Sequence, residues 1–459
     1  MSCSQKVPYI FLVTNYTVRC IDAVHRRKKE NVMKSINDWK VCLVSPEMKE
    51  KLAKIYCCPA EETALWAQRL SALCDKYTDK FGPAEELALF SAPGRTEIGG
   101  NHTDHQHGRV LAGSVNLDTI AAVALNGENV IRIQSEGHEM NVVSLDVLTA
   151  SESEFGTSDA IVRGVVARFA EMGCEVKGFN AYTTSNVLTG SGLSSSAAFE
   201  VLVGTIINEL FFDKKATAVQ IAQIGQYAEN VFFGKPCGLM DQTACSVGNM
   251  ITIDFNDPAA PVVEPIDFDF ASTGHALCIL DSGASHADLT DEYAAITKEM
   301  KAISRLLGKE FLREVAEADF VKAIPMLREK VGDRAVLRAL HFFADNERVP
   351  QQVAALRAGD FDRFLELVND SGRSSWLYLQ NVVPSGYKEH QEVALTLALC
   401  AALLDGRGAS RVHGGGFAGT VQAFVPFDLL DNFIAGTEAV LGKGACHVLS
   451  IRPVGGMQF

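Results

Sequence analysis

Four stretches of the sequence bring together residue types that do chemistry. The first, "APGRTEIGGNHTDHQHGRVLAG" at 92–113, places Arg95, Asn101, His102, Asp104, His105 and His107 in one glycine-bounded run. Two chemistries fit it. A metal centre would use the three histidines with Asp104, yet HxxHxH is not a strong zinc spacing, and a closed site draws ligands from a second segment. Arg95 beside it also repels a cation. A loop that grips a polyhydroxylated ligand uses the same donors and acceptors, and Gly94, Gly99, Gly100 and Gly108 allow close backbone approach.

The second stretch, "TGSGLSSSAAFEVLVG", runs from Gly190, Ser191, Gly192, Leu193, Ser194, Ser195 and Ser196 into an unbroken apolar helix. Free backbone N–H groups and hydroxyls converge there on the positive end of the helix dipole, which makes an anion site. A serine N-cap on a glycine turn explains the same letters, and no Walker lysine is present. The third stretch, "PCGLMDQTACS", sets Asp241 beside Met240, where partial desolvation makes a carboxylate a better proton acceptor; helix capping is the plainer role. Glu229, twelve residues earlier, sits on a helix and reaches either a metal-nucleotide or solvent. The fourth, "HGGGFAGT" at 413–420, reads as a glycine turn between strands and is weak by itself.

The elements that must position these groups follow from periodicity. Residues 34–80 have helical spacing, then "ELALFSAPGR" reads as a short strand ending at a turn. "TIAAVALNG", "NVIRIQSEG" and "MNVVSLDVL" read as hairpin-connected strands, and "FNAYTTSNVL" at 179–188 as another. The serine-rich loop opens a long helix, and "ATAVQIAQIGQYAENVFFG" is a second helix ending at Gly234. A Pro- and Asp-rich break near 255–270 marks a domain boundary; beyond it "HALCILDSG" is a strand, 290–370 is mainly helical, and 410–426 is strand, glycine turn, strand.

Composition bounds the class. At 459 residues and 47% hydrophobic content, two globular domains are expected. A formal charge of -14 works against nucleic acid or an anionic membrane as partner. The 12 cysteines are scattered without a CxxC pair and read as reduced thiols of a cytoplasmic protein. The longest apolar run, "VALTLALCAALL" at 393–404, is 12 residues and reads as a buried helix, short of the roughly 20 that span a bilayer. Residues 1–32 lack the features of a signal peptide. If the source is bacterial, Lys29-Glu30 is encodable as a ribosome-binding sequence, so a start at Met33 and a non-native 1–32 extension are expected.

Taken in order, the four segments resemble the galactokinases of the GHMP kinase superfamily. That family's first signature is Gly-Arg, four residues, then Gly-Glu-His-Thr-Asp-Tyr, and stands here as "GRTEIGGNHTDH" with the same spacing. Its nucleotide loop stands as "GSGLSSSAA", its catalytic segment as "CGLMDQ", and its third glycine motif as "GGGFAGT" with Ala418 replacing a Gly. The likeness runs from about residue 60 to the end. It implies an α+β fold of two domains: an N-terminal one (33–262) like the second domain of ribosomal protein S5, and a ferredoxin-like one (263–459), with the site in the cleft.

The resemblance further implies phosphorylation of the anomeric hydroxyl of a hexose by ATP with Mg2+. By position, Asp241 is the base and Arg95 orients it and stabilises the transferring phosphoryl group. Residues 190–196 hold ATP, Ser196 and Glu229 ligate magnesium, and His102, Asp104, Gly238 and Tyr293 contact the sugar. The partners are then a small sugar and ATP, with no nucleic acid or membrane, on a monomer or weak homodimer. Two departures bear on the substrate: Asn101 replaces the family's Glu, which contacts the C6 hydroxyl, and His105 replaces its Tyr. An Arg pair usual after the Tyr is "AAITKEM" here. Galactose is the expected substrate, a C6-modified galactose such as galacturonate the alternative, and a non-catalytic sugar sensor a distant third, because "SSSAA" and Asp241 are intact.

Overall fold

The computed structural model describes residues 33–188, 192–284 and 289–459. The proposed extension and the start at Met33 lie outside them, apart from Met33 itself. Three helices come first: α1 (Ile36–Leu43), α2 (Pro46–Tyr56) and α3 (Thr63–Phe81). Ser35 and Ser45 cap the first two by accepting from the backbone N–H groups of Asp38 and Met48, and Pro46 starts α2 where its missing N–H costs nothing.

A large antiparallel-rich sheet follows, built on β1 (Ala88–Gly99) and β2 (Arg109–Leu125), with β3 (Val130–Ser135) and β4 (Met140–Ser144) as a hairpin. After α4 (Ser158–Glu171) come β5 (Phe179–Ser185), α5 (Ser195–Phe211) and α6 (Ala218–Tyr227), which continues as a π-helical segment Ala228–Phe233 to Gly234. Then come α7 (Met240–Val247), β6 (Met250–Asp254) and β7 (Val262–Ile266). Successive side chains alternate across β1 and β2. Ala88, Phe90, Ala121 and Val123 pack under α4–α6, while Leu89, Ile120 and Ala122 pack under α1–α3.

The second sheet holds β8 (His275–Asp281), β9 (Ala409–Val412), β10 (Thr420–Pro426) and β11 (Cys446–Leu449). Its spatial order is β11-β8-β10-β9, the 4-1-3-2 antiparallel order of a ferredoxin-like sheet. Between β8 and β9 stand α8 (Thr290–Leu306), α9 (Glu317–Val331), α10 (Asp333–Ala358), α11 (Phe361–Ser374) and α12 (Glu392–Leu404); α13 (Phe427–Leu441) links β10 to β11. The mixed α+β architecture agrees with the expectation. One apolar cluster joins the two sheets, from Ile98 and Leu111 of β1–β2 to Ile279 and Phe424, with Val353 of α10 and Phe364 of α11 between them. The last strand, β12 (Met457–Gln458), returns to pair with β1.

Three sequence expectations need correcting. β1 does not end at the Pro-Gly pair: it runs on through Gly99, all twelve residues buried, with register shifts between Pro93 and Arg95 and between Glu97 and Gly99. A bulge is where a strand tolerates a proline that cannot donate to the ladder. Most of the supposed 92–113 loop is therefore strand, in β1 and the start of β2. The apolar run at 393–404 is helical but covered on one face only, with Leu395 56% exposed. β7 still pairs in the first sheet, so the change of sheet comes between Ile266 and His275.

Candidate active site

Because β1 is a strand, Arg95 and Glu97 lie two apart and project to the same side, into a cleft of about 980 Å3. Arg95 also lines its wall toward the serine loop: its backbone N–H donates to the Leu193 carbonyl at 3.1 Å. Its guanidinium grips Asp241 in a two-pronged pair, Nε to Oδ1 and Nη2 to Oδ2, both 2.8 Å. Nη1 donates to the Gly192 carbonyl, and the Ser194 hydroxyl donates to Asp241 Oδ2. Ser194 adopts φ 57°, the left-handed turn that starts α5 and swings its hydroxyl back toward α7.

Asp241 is the second residue of α7 and keeps 34% of its side chain open, against 6% for Arg95. Both line the cleft, and the carboxylate is the more open of the two. Burial by itself would raise the Asp241 carboxyl, but Arg95, then Ser194 and Lys235, together hold it below the ordinary carboxylate value. Burial likewise opposes the charge on Arg95, and Asp241 more than restores it. The site thus carries a fixed, ionised carboxylate beside a fixed guanidinium.

Ser196, the second residue of α5, lines the cleft. Glu229 reaches it from the π-helical segment, where the extra residue per turn re-aims a side chain. Glu229 accepts from Lys235 Nζ at 3.2 Å and from Gln242 Nε2 at 3.0 Å, and the same amide donates to Glu200 at 3.0 Å. Burial and then the Glu229 charge push the Glu200 carboxyl well up. Of the expected nucleotide residues, Gly190 and Ser191 lie outside the described residues. Ser195 begins α5, and Leu193 is fully buried with its carbonyl taken by the Arg95 N–H.

At the other end of the cleft lie His102, Asp104, Gly238 and Tyr293. Asp104 Oδ1 takes the His105 backbone N–H at 2.9 Å, and a Cβ at Gly238 would stand 2.0 Å from Asp104 Oδ2. A side chain at this position would displace the Asp104 carboxylate. His102 Nε2 lies 2.9 Å from the Gly415 carbonyl, which can only accept, so the proton sits on Nε2 and Nδ1 remains an acceptor. Burial and then His105 push this imidazole down to about 3, which keeps it neutral. The Tyr293 hydroxyl donates to the Gly416 carbonyl at 2.8 Å, and burial raises it to about 12.

All three histidines line the cleft, with the His102 and His105 ring centroids 5.8 Å apart. His107 stacks on Phe311 with ring centroids 3.6 Å apart, and among the described residues no group of three His, Cys, Asp or Glu is disposed around a common metal position. The "HGGGFAGT" turn, weak in sequence, walls the His102–Tyr293 end of the cleft through Gly414 and Gly415.

Asn101 is a correction. It is fully buried and does not line the cleft. Its Nδ2 donates to Glu97 Oε1 at 2.9 Å and to the Gly414 carbonyl at 2.7 Å, while Oδ1 accepts from Asn381 Nδ2 at 2.8 Å. Its backbone N–H and carbonyl are held by Asp345 and His341 of α10. A contact with a sugar C6 group needs an accessible atom, and Asn101 offers none.

The comparisons with known proteins agree with this geometry. Residues 160–249 match the model of the GHMP kinases N terminal domain, and residues 75–125 match the galactokinase galactose-binding signature. A galactokinase from Streptomyces coelicolor is 30% identical over 390 residues, covering 83% of this chain and 96% of the relative. The chain belongs to the galactokinase family. Other relatives include a galactokinase from Actinobacillus pleuropneumoniae serotype 3, 28% identical over 78% of this chain and 90% of its own. The solved galactokinase of Lactococcus lactis complexed with galactose superposes with a TM-score of 0.73 at 26% identity, over 85% of this chain and all of that one. An L. major mevalonate kinase shares the fold at a TM-score of 0.55 and 15% identity. As a member of this family the chain is a sugar kinase, and among its described residues no helix is long and apolar enough to cross a membrane.

Proposed function

We propose that this member of the galactokinase family transfers the γ-phosphoryl group of ATP to the anomeric C1 hydroxyl of galactose, giving galactose 1-phosphate and ADP. The observation that carries the reading is the Arg95–Asp241 pair, with its carboxylate open to the cleft between the serine loop and the His102–Asp104–Tyr293 end. ATP lies along the start of α5, at the positive end of the helix dipole, where Ser196 lines the cleft.

Phosphoryl transfer asks mainly for positioning and charge stabilisation. The C1 oxygen attacks the γ-phosphorus, its proton passes to an Asp241 carboxylate oxygen, and the bond from the γ-phosphorus to the β,γ-bridging oxygen breaks. Arg95 keeps Asp241 ionised and oriented, and its charge offsets the negative charge on the transferring group. Ser194 holds the second Asp241 oxygen, which fixes the carboxylate plane.

Glu229 and the Ser196 hydroxyl are hard oxygen donors on the nucleotide side, a set suited to Mg2+, which takes one or two protein ligands together with phosphate oxygens. When bound, the ion neutralises charge on the β- and γ-phosphates. Lys235, on the same cleft wall, donates to Glu229 Oε1 and helps to orient that carboxylate.

The test is a panel of galactose, galacturonate, fucose, N-acetylgalactosamine and glucose with Mg-ATP, scored by ADP release and by phosphorus NMR of the product. Galactose should give the highest kcat/KM and an anomeric phosphate. A preference for galacturonate, or turnover of no hexose, sinks the reading.

A further inference from the structure

Glu97 is a cleft-facing carboxylate to which the sequence signature gives no role. It is 3% exposed, yet it contributes to the cleft lining beside Arg95, His102 and Gly414. Its backbone is pinned on both sides. The N–H donates to His413 Nε2 at 3.2 Å, and the carbonyl accepts from Gln422 Nε2 at 3.0 Å. Its Oε1 is held by Asn101 Nδ2 at 2.9 Å and by an ion pair to Arg411, which is itself fully buried on β9. Oε2 has no protein partner among the described residues. A carboxylate fixed through backbone and one oxygen, with the other oxygen turned to a polar cleft, is built to accept a hydrogen bond from a ligand.

We infer that Glu97 is a specificity-determining residue of the acceptor site: its Oε2 accepts a hydrogen bond from one hydroxyl of the hexose and fixes how the ring sits against Asp241. This rests on the proposed reading that a hexose occupies the cleft. It also gives Asn101 and Arg411 their part. They are positioning residues that keep one oxygen of Glu97 occupied so that the other points at the sugar. Because the ion pair is already formed before a ligand arrives, the sugar meets an oriented acceptor and loses no freedom of that side chain on binding.

The test crosses Glu97→Gln with 2-, 3-, 4- and 6-deoxygalactose. A hydrogen bond to a charged acceptor contributes about a 10- to 100-fold factor. The wild-type to variant ratio of kcat/KM should therefore be about 10 or more for galactose and for three of the deoxy sugars. With the one sugar that lacks the partner hydroxyl, the ratio should fall to about 1. A ratio that is the same for all four means that Glu97 acts only structurally and overturns the assignment, as does an unchanged kcat/KM for galactose. If Glu97→Gln does not fold, judged by melting temperature and ATP binding, Glu97→Asp keeps the charge, withdraws it by one methylene, and is read in the same way. Wild-type protein that phosphorylates none of the hexoses defeats the functional reading instead. If another hexose is preferred, its own deoxy series is used.

Discussion

The Arg95–Asp241 pair fixes what the site can do at the scale of single residues. Both Asp241 oxygens already accept from the guanidinium, so the carboxylate is a weak base with a fixed position rather than a strong one. Its pKa is depressed, so its active, ionised form is present at and above the ordinary carboxylate value of about 3.9 and is lost only as pH falls below it. The kcat/KM profile for galactose should accordingly show no Asp241-dependent acid limb between pH 5 and 8. Asp241→Asn should lower kcat by about 100-fold or more while galactose binding, read by calorimetry, changes little. A limb near pH 6 that disappears in Asp241→Asn contradicts this account. Asn101 shows the converse case, in which a residue marked by its sequence position is structural. Asn101→Ala removes donors to Glu97 and Gly414 and an acceptor for Asn381, and should cost about 3 kcal/mol of stability. A variant that melts like wild type in calorimetry refutes that role.

At the scale of elements, the four motifs and their order were legible in the sequence, as were the helices flanking them, because glycine punctuation and apolar period survive in one dimension. What was not legible was the face each residue meets. The Pro-Gly pair suggested a turn, but β2 supplies a partner along the whole of β1, and the pair is absorbed as a bulge. A second register shift between Glu97 and Gly99, followed by Gly100 at φ +83°, reverses which side chains look into the cleft. Strand parity from Arg95 points to Glu97, whereas the family signature, in which Asn101 replaces a Glu, pointed to Asn101. The glycine turn at 414–416 was undervalued for a related reason. Its carbonyls, not side chains, hold Asn101, His102 and Tyr293. Packing against the loop before α7 yields a sharper test. Gly238→Ala places a methyl group 2.0 Å from the position of Asp104 Oδ2, so Asp104 must move. The KM for galactose should rise about 10-fold or more with ATP affinity nearly unchanged, since a misplaced donor set loses hydrogen bonds only at the sugar end. An equal loss at both substrates would mean that the loop as a whole has shifted.

For the molecule as a whole, the cleft depends on a chain that leaves the first sheet and comes back to it. Arg452, after β11, enters the N-terminal layer and donates through Nη1 to Asp118 Oδ2 at 3.0 Å and to Ser91 Oγ at 2.8 Å. Asp118 on β2 is fully buried and also accepts from Tyr56 at 2.7 Å and from Arg69, so α2, α3, β1, β2 and the C-terminal segment meet at one carboxylate. Burial opposes that charge, and Arg69 and Arg452 together outweigh it and hold the carboxyl below its ordinary value. Nothing in the sequence near Arg452 signalled this role, because its partner is 334 residues away. Arg452→Met leaves a buried carboxylate with one cation in place of two. Breaking such a buried pair costs about 3–5 kcal/mol. At about 2–4 °C per kcal/mol for a domain of this size, the melting temperature should fall by roughly 10 °C. Arg452 does not line the cleft, so kcat at 20 °C should stay within about twofold of wild type. The part of the loss that comes from Asp118 should also shrink as pH falls below about 4, because a protonated Asp118 no longer needs the second cation. Equal melting temperatures for the two proteins at neutral pH would show that Arg69 alone balances Asp118 and that the returning segment is held by β12 and its apolar contacts instead.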